Sequence, residues 1–284
     1  MAKLISGKEV SANVKNRVKN EIALLKSQKG ITPGLAVVLV GEDPASKIYV
    51  NNKKKACAEV GIYSEEYNLP EQTAQSELIE LIEKLNRKKE INGILVQLPL
   101  PAHIDEKAVI EAISPQKDVD AFHAVNVGKI MLGNYNFLPC TPAGIMELLD
   151  SENIEIAGKN CVIIGRSNIV GKPMAMLMLH RDATITVCHS KTRNLKDICS
   201  KADILIAAVG KAGFVTADMV KDGATVIDVG INRDAQGKLC GDVDFNGVEP
   251  KAAYITPVPG GVGPMTIAML MKNTLTAAKI QNNA

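Results

Sequence analysis

Residues 161–176 read CVIIGRSNIVGKPMAM: an apolar run closes on Gly165, five residues follow, and Gly171-Lys172 opens a second apolar stretch. Strand, glycine turn and helix in that order occur in α/β folds that hold phosphates, and the spacing separates two kinds. A triphosphate-cradling loop has four residues before its Gly-Lys and then a serine or threonine for magnesium. Here five intervene and Pro173 stands in the hydroxyl's place, which excludes that loop. A dinucleotide loop needs a strand, a tight glycine turn and a helix whose N-terminus faces the pyrophosphate. VIIG and PMAMLMLH supply these elements, although Ser167 replaces the second glycine of G-x-G-x-x-G. On pattern alone an ordinary strand–helix turn fits equally well.

The following strand, TITVCH, narrows the choice. Where NAD is bound, an acidic residue at the end of that strand grips the ribose 2′-hydroxyl. Here the strand ends in His189-Ser190-Lys191, with Arg193 close behind and no carboxylate. A hydroxyl and cations suit a 2′-phosphate, and Arg166 points the same way because a guanidinium matches phosphate oxygens. The pattern favours NADP over NAD, with plain solvated loop charges as the competing reading.

Outward from this loop, NCVIIG, TITVCH, ADILIAAVG, TVIDVGIN and AAYITPV read as successive strands with crossovers between them, the pattern of a covered parallel sheet. The first half alternates too. An amphipathic helix spans 7–29, LAVVLVG is a buried strand, and Asp43-Pro44 starts a helix that runs to Gly61. IYSEEYNL, the amphipathic 75–88 and the strand GILVQL follow, then a polar stretch at 114–120 and a glycine-bearing loop at 128–134. TPAGIMELLDS is helical, and 265–280 forms a last apolar-faced helix. Two α/β domains are expected, with a boundary within 120–140.

At 284 residues, 46% hydrophobic, 23% charged and with net charge +2, the chain is expected to be globular, without a nucleic-acid footprint. Six scattered cysteines with no C-x-x-C pair predict neither zinc nor disulfides and fit a reducing compartment. MAKLISGKEV lacks a signal-peptide core, and no run reaches membrane-spanning length, so the cytoplasm is expected.

Ligands collect at the carboxyl ends of strands in open α/β sheets. Tyr49 and Lys53 stand four apart on the helix after LAVVLVG and share a face. They could stack an aromatic ligand and present an ammonium, and a desolvated lysine exchanges protons near neutrality. A lysine in the run Lys53-Lys54-Lys55 is equally readable as solvent-facing. Gln97 ends its strand among prolines, an odd place for an amide without a partner. Alternation aims Asp118 and Asp120 differently, so one at most enters a pocket, and no metal site is expected. ITPVPGGVGPMT (255–266) carries three glycines and three prolines, which fits a close ligand approach or a rigid connector.

YVNNKKKAC, GILVQLPLP, KDVDAF, PCTPAGIMELL, GRSNIVGKPM, CHSKT, VIDVGIN, GDVDF and PVPGGVGPMT occur in an order covering nearly the whole chain. In these motifs the sequence resembles the bifunctional methylenetetrahydrofolate dehydrogenase/methenyltetrahydrofolate cyclohydrolases. The resemblance implies an N-terminal α/β folate domain (1–122 and 262–284), a Rossmann-like NADP domain (140–258), and connecting segments at 123–139 and 259–261. The C-terminal helix would pack back on the N-terminal domain, and the subunit would form a homodimer. Lys53 would be the central catalytic residue, Tyr49 would stack on the substrate, Gln97 would tune Lys53, and Asp120 would bind the pterin. Val50, Asn51, Asn52, Val96, Leu98, Pro259, Gly260, Gly261, Val262 and Gly263 would complete the folate site. Gly165, Arg166, Ser167, Ser190 and Ile231 match cofactor-contacting positions. Two residues depart from the family pattern: Ala121 stands where glycine is usual, and Lys88 where Asp or Asn is usual.

Three rival readings differ in chemistry: a monofunctional NADP dehydrogenase, a dehydrogenase for another small substrate, and a non-catalytic folate- or nucleotide-binding module. The second leaves YVNNK and PGGVGPMT without a purpose.

Overall fold

The computed structural model describes residues 1–234 and 236–284. Through Leu132 the elements are β1 (Lys3–Leu4), α1 (Gly7–Lys29), β2 (Gly34–Val40), α2 (Pro44–Val60), β3 (Tyr63–Leu69), α3 (Gln75–Arg87), β4 (Gly93–Val96), α4 (Glu106–Ala112) and α5 (Ala124–Leu132). Then come α6 (Cys140–Ser151), β5 (Asn160–Ile164), α7 (Gly171–Leu179), β6 (Thr184–Cys188), α8 (Leu195–Cys199), β7 (Ile204–Ala207), β8 (Thr225–Asp228), β9 (Asn232–Arg233), β10 (Leu239–Cys240), α9 (Phe245–Val248), β11 (Tyr254–Ile255) and α10 (Val262–Gln281). Two compact units divide the chain: Ala12–Cys140 with Ile267–Ala284, and Met1–Ser11 with Thr141–Thr266.

The unit formed by Ala12–Cys140 and Ile267–Ala284 is built on a parallel sheet of order β3-β2-β4. Every residue of β2 is buried, as expected of a parallel strand covered on both faces. Ala36, Val38 and Val40 face Leu78, Ile82 and Leu85 of α3, whose spacing gives that helix one apolar stripe. Asp43 starts α2 by accepting the Ser46 N–H at 2.7 Å, with Pro44 next, and Gly61 at φ +89° ends it. Residues 267–284 lie in this unit: Lys279 pairs with Glu21, and Gln281 donates to the carbonyls of Asn92 and Gln116. From Ile267 on, the C-terminal helix therefore packs as expected, whereas residues 262–266, expected in this unit as well, fall in the other.

The other unit carries a six-stranded parallel sheet of order β1-β11-β8-β7-β5-β6. β5 has β6 on one side and β7 on the other, so the winding reverses at β5, where doubly wound folds open a ligand crevice. The core on one face joins Val162, Ile164, Leu205, Ala207 and Val226 of the strands with Cys199, Val220 and Val248.

The structure departs from the sequence reading elsewhere too. Residues 1–11 fall outside the unit expected for them, because β1 pairs with β11 and the Lys8 N–H donates to the Gly260 carbonyl. The expected loop at 128–134 is mostly helix: α5 passes through Gly128 and stops at Gly133, φ +76°. Residues 123–139, expected to connect the units, belong to the unit of Ala12–Cys140, and α4, which the sequence reading left unmarked, is capped by Asp105. All six cysteines are free thiols. Among the described residues no helix is long and apolar enough to cross a membrane.

Candidate active site

Lys53 lies on an α2 stripe with Tyr49 and Cys57, each four residues apart, and burial deepens along it. Tyr49 is 39% exposed, Lys53 8% and Cys57 not at all. Of the neighbouring candidates, Val50 is buried, while Asn51 and Asn52 are exposed. At 100° per residue, Asn52 points more than a quarter-turn away from Lys53 and Asn51 turns to the far side.

Lys53 Nζ donates to Gln97 Oε1 at 2.8 Å. Gln97 is itself fixed, with its backbone N–H on the Val38 carbonyl and its Nε2 donating to the Leu98 carbonyl at 2.6 Å. The amide that seemed out of place at the strand end therefore has its partner. Burial lowers the pKa of Lys53 from the ordinary lysine value, and the carboxylate of Asp120 opposes the shift. Asp120 is pushed up by burial and held down in turn by Lys53 and by the Cys140 thiol.

The loop bearing Asp120 is ordered residue by residue. Lys117 Nζ donates to the carbonyls of Leu85 and Lys88, closing the C-terminal end of α3. Asp118 Oδ2 accepts from the His123 N–H and Asn126 Nδ2, so this carboxylate turns into the protein. Asp118 and Asp120 both line a small, largely apolar cavity with Val96, Leu98, Val109 and Ile113. Cys140 Sγ lies 3.3 Å from Asp120 Oδ1. Lys117, Cys140 and the supporting Asn273 were not singled out in the sequence. Asn273 alone had a signal, as an amide on the mostly apolar buried face of α10.

At the reversal of the other sheet, Gly165 adopts φ +133°, and a Cβ there would meet the Ala208 carbonyl oxygen at 2.3 Å. A Cβ on Gly171 would meet the Gly165 carbonyl oxygen at 2.2 Å, so α7 packs directly against the turn. Ser167 Oγ accepts the N–H groups of Val170 and Gly171, and its carbonyl accepts that of Lys172. The α7 terminus thus spends these donors inside the protein, while the Ser167 hydroxyl hydrogen stays free to donate. Lys172 is held by Asn168 Oδ1 at 2.6 Å, which accounts for the Gly-Lys without a triphosphate.

The Gly165 N–H donates to the Cys188 carbonyl, so Arg166 and Ser190 leave adjacent strand ends. Both are exposed, as are Lys191 and Arg193. No carboxylate occurs from residue 183 to 196. This donor set fits a dinucleotide bearing a 2′-phosphate.

Two buried carboxylates support the loops beyond. Asp242 accepts the N–H groups of Val209, Gly210 and Lys211 and the side chain of Asn232; Asp228 accepts those of Gly230, Asp242 and Val243. They fix the turn on which Ile231 stands, 52% exposed. A Cβ on Gly263 would touch the Ile231 side chain at 3.9 Å, which brings Ile231 to the PGGVG loop. In that loop Pro259 is exposed, Gly260 and Gly263 are half-buried, and Gly261 and Val262 are buried.

The catalytic-domain model of the tetrahydrofolate dehydrogenase/cyclohydrolase family matches residues 5–120, and the NAD(P)-binding-domain model of that family matches 139–282. The bifunctional protein FolD of Acetivibrio thermocellus is 62% identical over 280 residues, 99% of this chain and 98% of that one. The crystal structure of bifunctional FolD from Campylobacter jejuni matches with a TM-score of 0.97 at 52% identity, covering 99% and 100% of the two chains. FolD of Trypanosoma brucei, complexed with NADP cofactor and inhibitor, matches with a TM-score of 0.95 at 41% identity, covering 100% and 99%. With two family models spanning most of its length and a relative 62% identical over nearly all of both chains, the chain belongs to the tetrahydrofolate dehydrogenase/cyclohydrolase family.

Proposed function

We infer that the protein oxidises 5,10-methylenetetrahydrofolate to the 5,10-methenyl form with NADP, then hydrolyses that product to 10-formyltetrahydrofolate. The observation that carries the reading is the buried Lys53 ammonium on Gln97 Oε1 beside Asp120, within this family. NADP, when bound, accepts the hydride that leaves the one-carbon bridge. The residues fitted to hold it are Arg166 and Ser190 toward the 2′-phosphate, with Ser167, Gly165 and Ile231 along the dinucleotide.

On the folate side, Tyr49 offers a half-exposed ring one turn before Lys53, suited to stacking on an aromatic ring. Asp120 accepts N–H groups of the pterin. Oxidation mainly needs alignment, which these fixed groups supply. Hydrolysis needs proton management: water adds to the methenyl carbon, the ring C–N bond opens and one proton is released. Lys53, lowered by burial, takes that proton in its neutral form, and the cationic substrate further favours neutrality. Gln97 Oε1 aims the amine. The proposal extends to the cytoplasm, on the sequence reading, and to a homodimer, on the family resemblance alone.

The test is NADPH absorbance on adding methylenetetrahydrofolate, run with NADP and NAD in parallel, followed by the decay of methenyl absorbance. Reduction of both nucleotides at equal efficiency would overturn the role of Arg166 and Ser190. No reduction of either would overturn the enzyme reading and leave a binding module.

A further inference from the structure

Behind Asp120 lies a second layer of polar groups. Asn273 of α10 is 5% exposed, and its Nδ2 donates to the Val119 carbonyl at 2.8 Å and to the Leu138 carbonyl at 2.8 Å. These two bonds use both hydrogens of the amide. Its 3.7 Å approach to Cys140 Sγ is then a packing contact. The Val119 carbonyl precedes Asp120 in the chain, and the Leu138 carbonyl stands two residues before Cys140. One buried amide therefore ties the strand of chain carrying the carboxylate to the strand carrying the thiol.

Cys140 is 3% exposed, with Asp120 Oδ1 at 3.3 Å and the Val119 carbonyl, already served by Asn273, at 3.7 Å. Its hydrogen therefore goes to the carboxylate. Burial and the neighbouring Asp120 push this thiol well above its ordinary range, so it is a donor at neutral pH and not a thiolate nucleophile.

We propose that Asn273 and Cys140 are positioning residues for folate: Asn273 clamps the Val119 and Leu138 carbonyls so that the Cys140 S–H aims the Asp120 carboxylate at the pterin. The inference rests on the proposed role of Asp120. It extends the polar chain through Asp120, Lys53 and Gln97 to Asn273 on α10.

The experiment measures kcat and KM for methylenetetrahydrofolate and for NADP across pH in the full-length enzyme, with Cys140→Ala, Cys140→Ser and Asn273→Ala. Loss of a hydrogen bond to a charged group predicts a KM for folate about tenfold higher in Cys140→Ala, with kcat and the NADP KM little changed. Removing a donor from the carboxylate also moves the acid limb of kcat/KM to higher pH. Cys140→Ser, which keeps a donor, returns both toward the parent values. Asn273→Ala raises the folate KM in the same way, and combining it with Cys140→Ala gives less than the product of the single effects. An unchanged folate KM and acid limb in a folded Cys140→Ala overturns the proposal, as does a serine variant no better than alanine. Should Asn273→Ala not fold, the two cysteine variants decide alone. An inactive parent enzyme would instead refute the functional reading itself.

Discussion

At the scale of single residues, Lys53 and Ala121 make the sharpest claims. Burial lowers Lys53, so its neutral form is reached below the ordinary value of 10.5. Cyclohydrolase turnover is therefore expected to rise with pH along a limb below that value and then level. Lys53→Arg keeps the charge but cannot release it at any working pH, and Lys53→Met removes it. Both are expected to lose cyclohydrolase turnover by about 100-fold or more, the usual worth of a positioned acid–base group. Full turnover in Lys53→Met would end the assignment. Ala121 sits fully buried at φ +58°. A left-handed conformation costs an L-residue about 1–2 kcal/mol, and glycine gives back roughly half to one in unfolded-state entropy. Ala121→Gly is thus expected to stabilise the protein by about 0.5–1 kcal/mol, read as a higher urea midpoint; a lower midpoint would mean that the methyl group's packing outweighs the strain. The sequence marked Ala121 as unusual, but only the backbone angle explains why glycine suits that place.

At the scale of elements, the corner between β3 and α3 explains the second departure. Lys88 follows α3, and its Nζ reaches Glu65 Oε1 on β3 at 2.5 Å, while the Tyr63 and Tyr67 hydroxyls donate to the same carboxylate. Burial pushes Glu65 up, yet the bonds from Lys88, Tyr67 and Tyr63 outweigh it and hold the group down to about 2. A depressed carboxylate adds stability above its unfolded value of 4.5, and that stability is lost as pH falls from about 4.5 toward 2. Lys88→Asn is expected to raise the Glu65 pKa and move acid unfolding to higher pH, measured by carbon-detected NMR titration beside an acid denaturation curve. A Glu65 titration unmoved by the substitution would assign the effect to the tyrosines. What was legible here and what was not follows from length and pairing. The Leu78, Ile82, Leu85 spacing declares α3 without help. A two-residue strand such as β1 has no periodicity to read, and Gly128 looked like a break although it lies inside α5, in open space.

At the scale of the whole molecule, each of the two units has its own sheet and its own candidate ligand groups. The strand–turn–helix of CVIIG and the basic end of TITVCH were readable in sequence, whereas the winding reversal at β5 appears only in the pairing of β5 with β6 and β7. The assignment of residues 1–11 was not readable either, since it depends on β1 meeting β11 across some 250 residues of chain. The division makes a prediction about where ligands act. NADP alone should slow amide hydrogen exchange at 165–171 and 189–193, and a non-reactive folate analogue should slow it at 49–57, 96–98 and 118–121. A ligand at a hundred times its Kd stabilises the state it binds by about 2.7 kcal/mol, enough to register in those segments. Removing residues 1–6 deletes β1 and so should weaken NADP binding and expose β11 to exchange, while analogue protection at 49–57 persists. Loss of protection around Lys53 with NADP binding intact would show that the N-terminal strand serves the folate groups, against the pairing that places it in the other sheet.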